Sequence, residues 1–212
     1  MSDVITFTPG GYRYIKGVFQ YSAGVAAEAG FRLERVRFAE PVPLAEGFKR
    51  IAEIIKASGR PLTSFAACEL RSPAPFTEAG FEAFNRVYVG TLKDWGIYGD
   101  NNPVARSNVC PEVAPPAEPS FYAFSYTVQD RAAAPSFVIA GSGEAPEGKG
   151  GYAANAIARG DVSPAGLRKK AQWVLGEMER RMAALGFTWK EITGVQLYTV
   201  HDIHPFLADE LA

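Results

Sequence analysis

Residues 59–70 read GRPLTSFAACEL, and residues 186–197 read GFTWKEITGVQL. Gly59, Leu62, Phe65, Cys68 and Leu70 recur as Gly186, Trp189, Ile192, Val195 and Leu197 at a constant offset of 127 residues. Each stretch follows an amphipathic helical pattern, ends that helix at the glycine and opens an alternating strand. A period this long exceeds a solenoid unit and reads as a duplicated domain. The second copy runs out before it can repeat the later elements of the first. Chemistry carried by those elements therefore belongs to one copy alone.

Working outward, Leu44, Phe48, Ile51, Ile54 and Ile55 share one helical face over residues 44–58, and a strand follows at 64–71. Upstream, Tyr12, Tyr14, Ile15, Val18, Phe19 and Tyr21 predict a strand over 12–22. Phe31, Leu33, Val36 and Phe38 predict another over 31–38. Downstream, Thr77 is the N-cap of a second helix carrying Phe81, Phe84, Tyr88, Leu92 and Trp95, which Gly96 ends. A loop with Asn101, Asn102 and Pro103 leads to a strand around Arg106. The proline-rich run Pro111 to Pro119 intervenes before a last strand, Phe121 to Val128. The order β-β-α-β-α-β-β gives an α+β layer with helices on one face of a sheet.

With Asp130 to Pro135 as linker, residues 1–130 form the complete copy and residues 135–212 the partial one. The second opens on Phe137–Ile139, passes a glycine-rich turn and starts its helix at Ser163–Pro164, an N-cap followed by the proline favoured at the first helical position. Leu167, Ala171, Val174, Leu175, Met178, Met182 and Leu185 make its apolar stripe, and a strand at 192–200 follows. A sheet without its later strands exposes an edge. That predicts a homo-oligomer.

The chain has 212 residues, 47% of them hydrophobic and 21% charged, as a globular protein does. A net charge of -1 argues against nucleic acid as a partner, and no run approaches a membrane span. Asp3 and the lack of an apolar core behind a basic start argue against a secretory signal, so a cytoplasmic location is expected. Cys68 and Cys110 are too few for a disulfide framework or a zinc pattern. His201 and His204 fall in a loop and supply too few ligands for a metal. Gly141-Ser142-Gly143 is not followed at once by a helix, so it is a turn and not a dinucleotide fingerprint.

The segment Asn101-Asn102-Pro103-Val104-Ala105-Arg106-Ser107-Asn108-Val109 carries the strongest functional signal. An arginine opening a strand after a loop offers a planar fork to a carboxylate, or else makes a surface ion pair. Pro-x-Ala-Arg-Ser ahead of an apolar strand resembles the signature of the YjgF/RidA-type reactive-imine deaminases. Tyr21-Ser22-Ala23-Gly24, Ile139-Ala140-Gly141-Ser142-Gly143-Glu144, Phe84-Asn85 with Tyr88, and Val195–Val200 with Asp202 resemble further motifs of that family.

The resemblance implies a chorismate-mutase-like β-β-α-β-α-β unit in trimer-type assemblies, with sites between subunits and neither metal nor organic cofactor. It implies Arg106 as the carboxylate clamp and Asn85, Ser22 or Ser142 as polar contacts, with Asn108 in place of a residue often Cys in the family. The glutamate that active members commonly carry on the strand after the arginine, near Phe121 or Tyr122, is missing. Glu144, Glu112 and Glu118 are the candidates to supply a catalytic acid, and Tyr122 lies on the candidate substrate-binding strand. The expected function is hydrolytic deamination of a small enamine or imine carboxylic acid with release of ammonia. The aromatic last strand suggests a conjugated substrate such as an aminomuconate-like acid. The alternatives are a non-catalytic carboxylate-binding or scaffold protein and, further off, a ribonuclease.

Overall fold

Four strands open the chain: β1 (Val4–Phe7), β2 (Tyr12–Ile15), β3 (Gly24–Ala27) and β4 (Phe31–Pro43). Helix α1 (Leu44–Ala57), β5 (Phe65–Arg71), α2 (Glu78–Asp94), β6 (Ala105–Val109), β7 (Ser120–Gln129) and β8 (Phe137–Ile139) follow. The chain then becomes helical, with α3 (Tyr152–Asn155), α4 (Pro164–Leu185) and α5 (His204–Leu211). This computed structural model describes residues 3–146 and 151–211, so the glycine-rich turn predicted after residue 139 lies partly outside the described residues.

The chain divides into two compact units, Met1–Gly141 and Ser142–Ala212. The first holds two four-stranded sheets, ordered β4-β7-β5-β6 and β1-β2-β3-β8. In the former, β5 runs parallel to β6 and antiparallel to β7. One of its faces is covered by α1 and α2. Phe48, Ile51 and Ile55 from α1, and Tyr88 and Leu92 from α2, pack with Phe65, Leu70, Phe121 and Phe124 of the sheet. Gly47 lets α1 settle closely, since a Cβ there would come within 2.4 Å of the Phe121 ring.

Alanines make the opposite packing possible. Ala66, Ala67 and Ala105 leave room for Tyr12, Tyr14 and Val25 of the second sheet. The Tyr12 hydroxyl donates to the Phe65 carbonyl at 3.0 Å, which joins the two sheets by a buried bond. The helix caps form as their sequence predicts. Thr77 Oγ1 accepts from the Gly80 amide, and Ser163 Oγ from the Gly166 amide.

Two expectations require correction. The boundary after residue 130 is displaced to Gly141, because Phe137–Ile139 pairs with β3 and completes a sheet of the first unit. A linker composition did not reveal that pairing. The repeat is also narrower than a whole domain. Gly59 and Gly186 both end their helices at positive φ, and 3-10 turns follow at Leu62–Ser64 and Trp189–Glu191. Helices then start near Thr77 and His204. Between the latter two elements, however, the predicted strand at 192–200 belongs to neither sheet among the described residues. What recurs in order is a helix ended by a glycine, a 3-10 turn and a later helix.

Candidate active site

Arg106 owes its position to the loop before it. Asn102 Oδ1 accepts from the Val104 amide at 3.0 Å, while its Nδ2 donates to the Phe19 carbonyl at 3.1 Å. The Ser22 amide donates to the Val104 carbonyl at 2.8 Å, and the Ser22 hydroxyl donates to the Pro103 carbonyl at 3.0 Å. These bonds hold residues 19–22 along the start of β6. The Tyr21 ring centroid lies 5.4 Å from the Arg106 guanidinium carbon. Helix α2 contributes the Tyr88 ring at 4.7 Å and the Phe84 ring at 5.8 Å. Their i, i+4 spacing puts both rings on one helix face.

The guanidinium is thus enclosed by aromatic rings, and Arg106 is only 3% exposed. No acidic side chain pairs with it among the described residues, and its buried Nη1 has no hydrogen-bond partner. Ring faces offset part of the cost of burying the cation, typically about 0.5–2 kcal/mol each. A buried charge without a counter-charge remains strongly unfavourable. An anion with two oxygens relieves it best, because it can take the planar fork.

Asn85, next to Phe84 on α2, is fully buried. Its Nδ2 donates to the Phe81 carbonyl at 2.7 Å, while Oδ1 is buried without a partner. The region therefore presents an unmatched cationic donor and an unmatched acceptor. Such orphans are rare in folded proteins and call for a ligand or water.

Cys68 faces Arg106 across the parallel β5–β6 pairing, and its Sγ lies 3.3 Å from the Tyr88 hydroxyl. Burial pushes the thiol up to about 12, against smaller opposing effects of Tyr88 and Arg106. Burial likewise raises the Tyr88 hydroxyl well above its ordinary range. Both groups stay protonated at neutral pH, so Cys68 is not a thiolate nucleophile. A neutral-pH alkylating reagent is therefore expected to add one label per chain, at exposed Cys110, leaving Cys68 and the activity untouched. Peptide mass spectrometry checks this; a label on Cys68 would refute it.

The other sequence candidates occupy different places. Ser22 spends its hydroxyl on the Pro103 carbonyl and acts as a brace for the loop. Asn108 shares the Arg106 face of β6, but its Oδ1 accepts from Ser72 Oγ at 2.9 Å and fastens β6 to the end of β5. Tyr122 is not brought to Arg106. It stacks under the Arg71 guanidinium at 4.2 Å, and Arg71 alternates with Leu70, so this contact lies on the sheet face away from α1 and α2. Arg35 grips Glu69 on that face with contacts of 2.6 and 3.0 Å.

Ser142 and Glu144 belong to the second unit. The Ser142 hydroxyl donates to the Gly143 carbonyl at 3.2 Å. Glu144 is held below the ordinary carboxylate range, first by its own backbone amide and then by Lys170 at 3.2 Å, with partial burial opposing. A carboxylate so stabilised is a weak base. Glu112 and Glu118 lie within the proline-rich run, exposed on the surface.

Sequence reasoning missed the ring enclosure, although Tyr21, Phe84 and Tyr88 were visible as apolar periodic residues. The useful signal was the placement of Phe84, Asn85 and Tyr88 within one helical turn, with Asn85 interrupting an otherwise apolar face.

The family described as 2-aminomuconate deaminase CnbZ matches residues 4–212. The chain belongs to the CnbZ family. The 2-amino-5-chloromuconate deaminase of Comamonas testosteroni is 55% identical over 215 residues, an alignment covering 100% of this chain and 86% of that protein. No solved structure matches. Membership in the CnbZ family overturns the YjgF/RidA-type resemblance drawn from short motifs. Pro-x-Ala-Arg-Ser here is an Asx-braced entry to β6, a local solution that strands of many proteins can share. No described helix is long and apolar enough to cross a membrane.

Proposed function

We propose that this chain is a hydrolytic deaminase of 2-aminomuconate-type acids, with Arg106 and Asn85 as the substrate-binding pair. The observation that carries the reading is the complementarity of two buried orphans, Arg106 Nη1 and Asn85 Oδ1. A 2-amino-2-enoic acid bears a carboxylate and an amino group on neighbouring carbons. The carboxylate suits the guanidinium fork, and the amino N–H groups suit the amide oxygen. The rings of Tyr21, Phe84 and Tyr88 line the guanidinium with flat apolar surface, which suits a planar conjugated chain.

The chemistry asks little of the protein beyond orientation. Protonation of the enamine at carbon gives an iminium, water adds to the C=N carbon, and the resulting carbinolamine expels ammonia to leave a 2-oxo acid. One water enters and one ammonia leaves. Arg106 fixes the carboxylate so that the iminium carbon faces one direction, and Asn85 holds the nitrogen as its charge develops. Cys68 and Tyr88 remain neutral, so neither supplies a charged base. For that reason, a carboxylate binder without turnover is the competing reading.

The two are separated by mixing purified protein with 2-aminomuconate generated in situ. The deaminase reading expects loss of the conjugated chromophore together with one equivalent of ammonia. Saturable binding without ammonia release would establish the binder instead.

A further inference from the structure

Asn108 lies two residues beyond Arg106 on β6, on the same face and about 7 Å further along the strand. Its Oδ1 accepts from Ser72 Oγ at 2.9 Å. Ser72 is itself fully buried at the end of β5, where its amide donates to the Val109 carbonyl at 2.9 Å. The Asn108 amide is thus anchored by its oxygen. Its Nδ2, with two N–H donors, has no hydrogen-bond partner among the described residues. Asn108 is half-buried, whereas Arg106 is 3% exposed. The row from Arg106 to Asn108 therefore runs from a sealed end to one that water reaches.

Helix α2 follows the same row. Trp95, just past its last residue, stands edge-on to Phe65 at the start of β5, with ring centroids 5.7 Å apart. The first turns of α2 consequently lie toward the far ends of β5 and β6, which run parallel. Tyr88 and Phe84 face the Arg106 guanidinium, and the Phe84 ring stacks on Phe76 at 5.2 Å, in the segment that follows Ser72. Flat apolar surface continues past the guanidinium toward the Asn108 end.

We propose that Asn108 Nδ2 receives the distal carboxylate of the substrate and makes the site selective for conjugated diacids over monoacids of the same length. This rests on the deaminase reading of Arg106, because a muconate-type acid carries a carboxylate at each end of a six-carbon chain. With one carboxylate on the Arg106 fork, the extended chain reaches about as far as two strand residues do. The buried cation answers the carboxylate that loses most of its water. The distal carboxylate keeps part of its hydration at the half-buried end, where a neutral amide with two donors is enough to orient it. A methyl group in its place would leave those donors without a partner in the complex.

Two ligands test this without turnover. trans,trans-Muconate and sorbate are both six-carbon dienes with a carboxylate at one end. They differ only at the other, where muconate has a second carboxylate and sorbate a methyl group. Calorimetric titration of the full chain is expected to show muconate binding about tenfold more tightly, the usual effect of a hydrogen bond to a charged group. Asn108→Asp keeps an oxygen to accept from Ser72, so the join between β6 and β5 stands, but it replaces the donor with a like charge. Muconate should then bind at least about tenfold more weakly than it does to the parent. Sorbate, the check on folding, should be nearly unchanged, while Arg106→Ala should weaken both ligands. A parent that holds muconate no better than sorbate would overturn the proposal. So would an Asn108→Asp protein that keeps the preference, or one that loses sorbate equally, which would mark Asn108 as a structural brace alone. If 2-aminomuconate still releases ammonia in any of these cases, the deaminase reading survives and only the role of Asn108 falls. A chain with the expected preference that releases no ammonia would instead be the carboxylate binder.

Discussion

Arg106→Ala is expected to lower kcat/KM for 2-aminomuconate by about 10²–10³-fold, the usual penalty for removing one partner of a desolvated, charge-assisted pair. Arg106→Lys keeps the positive charge but loses the planar fork, and about tenfold or more should be lost.

Stability should move the other way. The sequence alone offered Arg106 as a fork for a carboxylate or as one half of a surface ion pair. At 3% exposure and with Nη1 unpartnered, it is instead a buried cation without a counter-charge in the free protein. Arg106→Met fills similar space without the desolvation cost and is expected to be as stable as the parent or more so, by up to a few kcal/mol. Thermal melts and steady-state kinetics on the same preparations check both halves. A methionine variant that is markedly destabilised, or one that still turns over, would show that the guanidinium is satisfied within the protein and does not await a carboxylate.

The elements most legible in the sequence were those whose information is local. The stripe from Leu44 to Ile55, the Thr77 and Ser163 caps and the glycines at 59, 96 and 186 each specify structure within one or two helical turns, and each appears where the periodicity puts it. Strand partnership is not local. Phe137–Ile139 reads as the start of a new domain until β3 is seen beside it, and residues 192–200 read as a strand although a strand needs a neighbour to exist.

The candidate site divides along the same line. The Asn102–Pro103 loop and the strand after it were readable around Arg106, but Arg106 was singled out through the YjgF/RidA-type resemblance that the CnbZ family overturns. Its ring enclosure depends on Tyr21, Phe84 and Tyr88 meeting from separate elements, which periodicity cannot reveal. The expectation of an aminomuconate-like substrate agrees with the CnbZ family, but its stated ground does not survive. Phe121, Phe124 and Tyr126 of β7 are buried in the core against the helices and do not reach toward a substrate.

That core supplies the second large effect. Phe48 is 6% exposed, and its ring stands edge-on to Phe121 at 4.9 Å and to Trp95 at 5.3 Å, with Tyr88 at 5.8 Å and Phe65 at 6.5 Å. It sits one position after Gly47, where the Phe121 ring already closes on the helix backbone, so α1 cannot move inward to fill a void. Phe48→Ala should therefore leave much of its cavity open and cost about 3–5 kcal/mol, which lowers Tm by roughly 10 °C or more. Phe48→Leu retains most of the volume and should cost about half as much. Val113, 86% exposed in the proline-rich loop, is the control: its alanine variant should stay within about 0.5 kcal/mol of the parent. Because Tyr88 packs against both Phe48 and the Arg106 guanidinium, a loosened Tyr88 should raise KM in Phe48→Ala even well below its melting point. Denaturant titration gives the stability change and kinetics at low temperature give the KM. A Phe48→Ala protein as stable as the parent would mean that α1 does not seat on the sheet as described, and the aromatic wall beside Arg106 would lose its support with it.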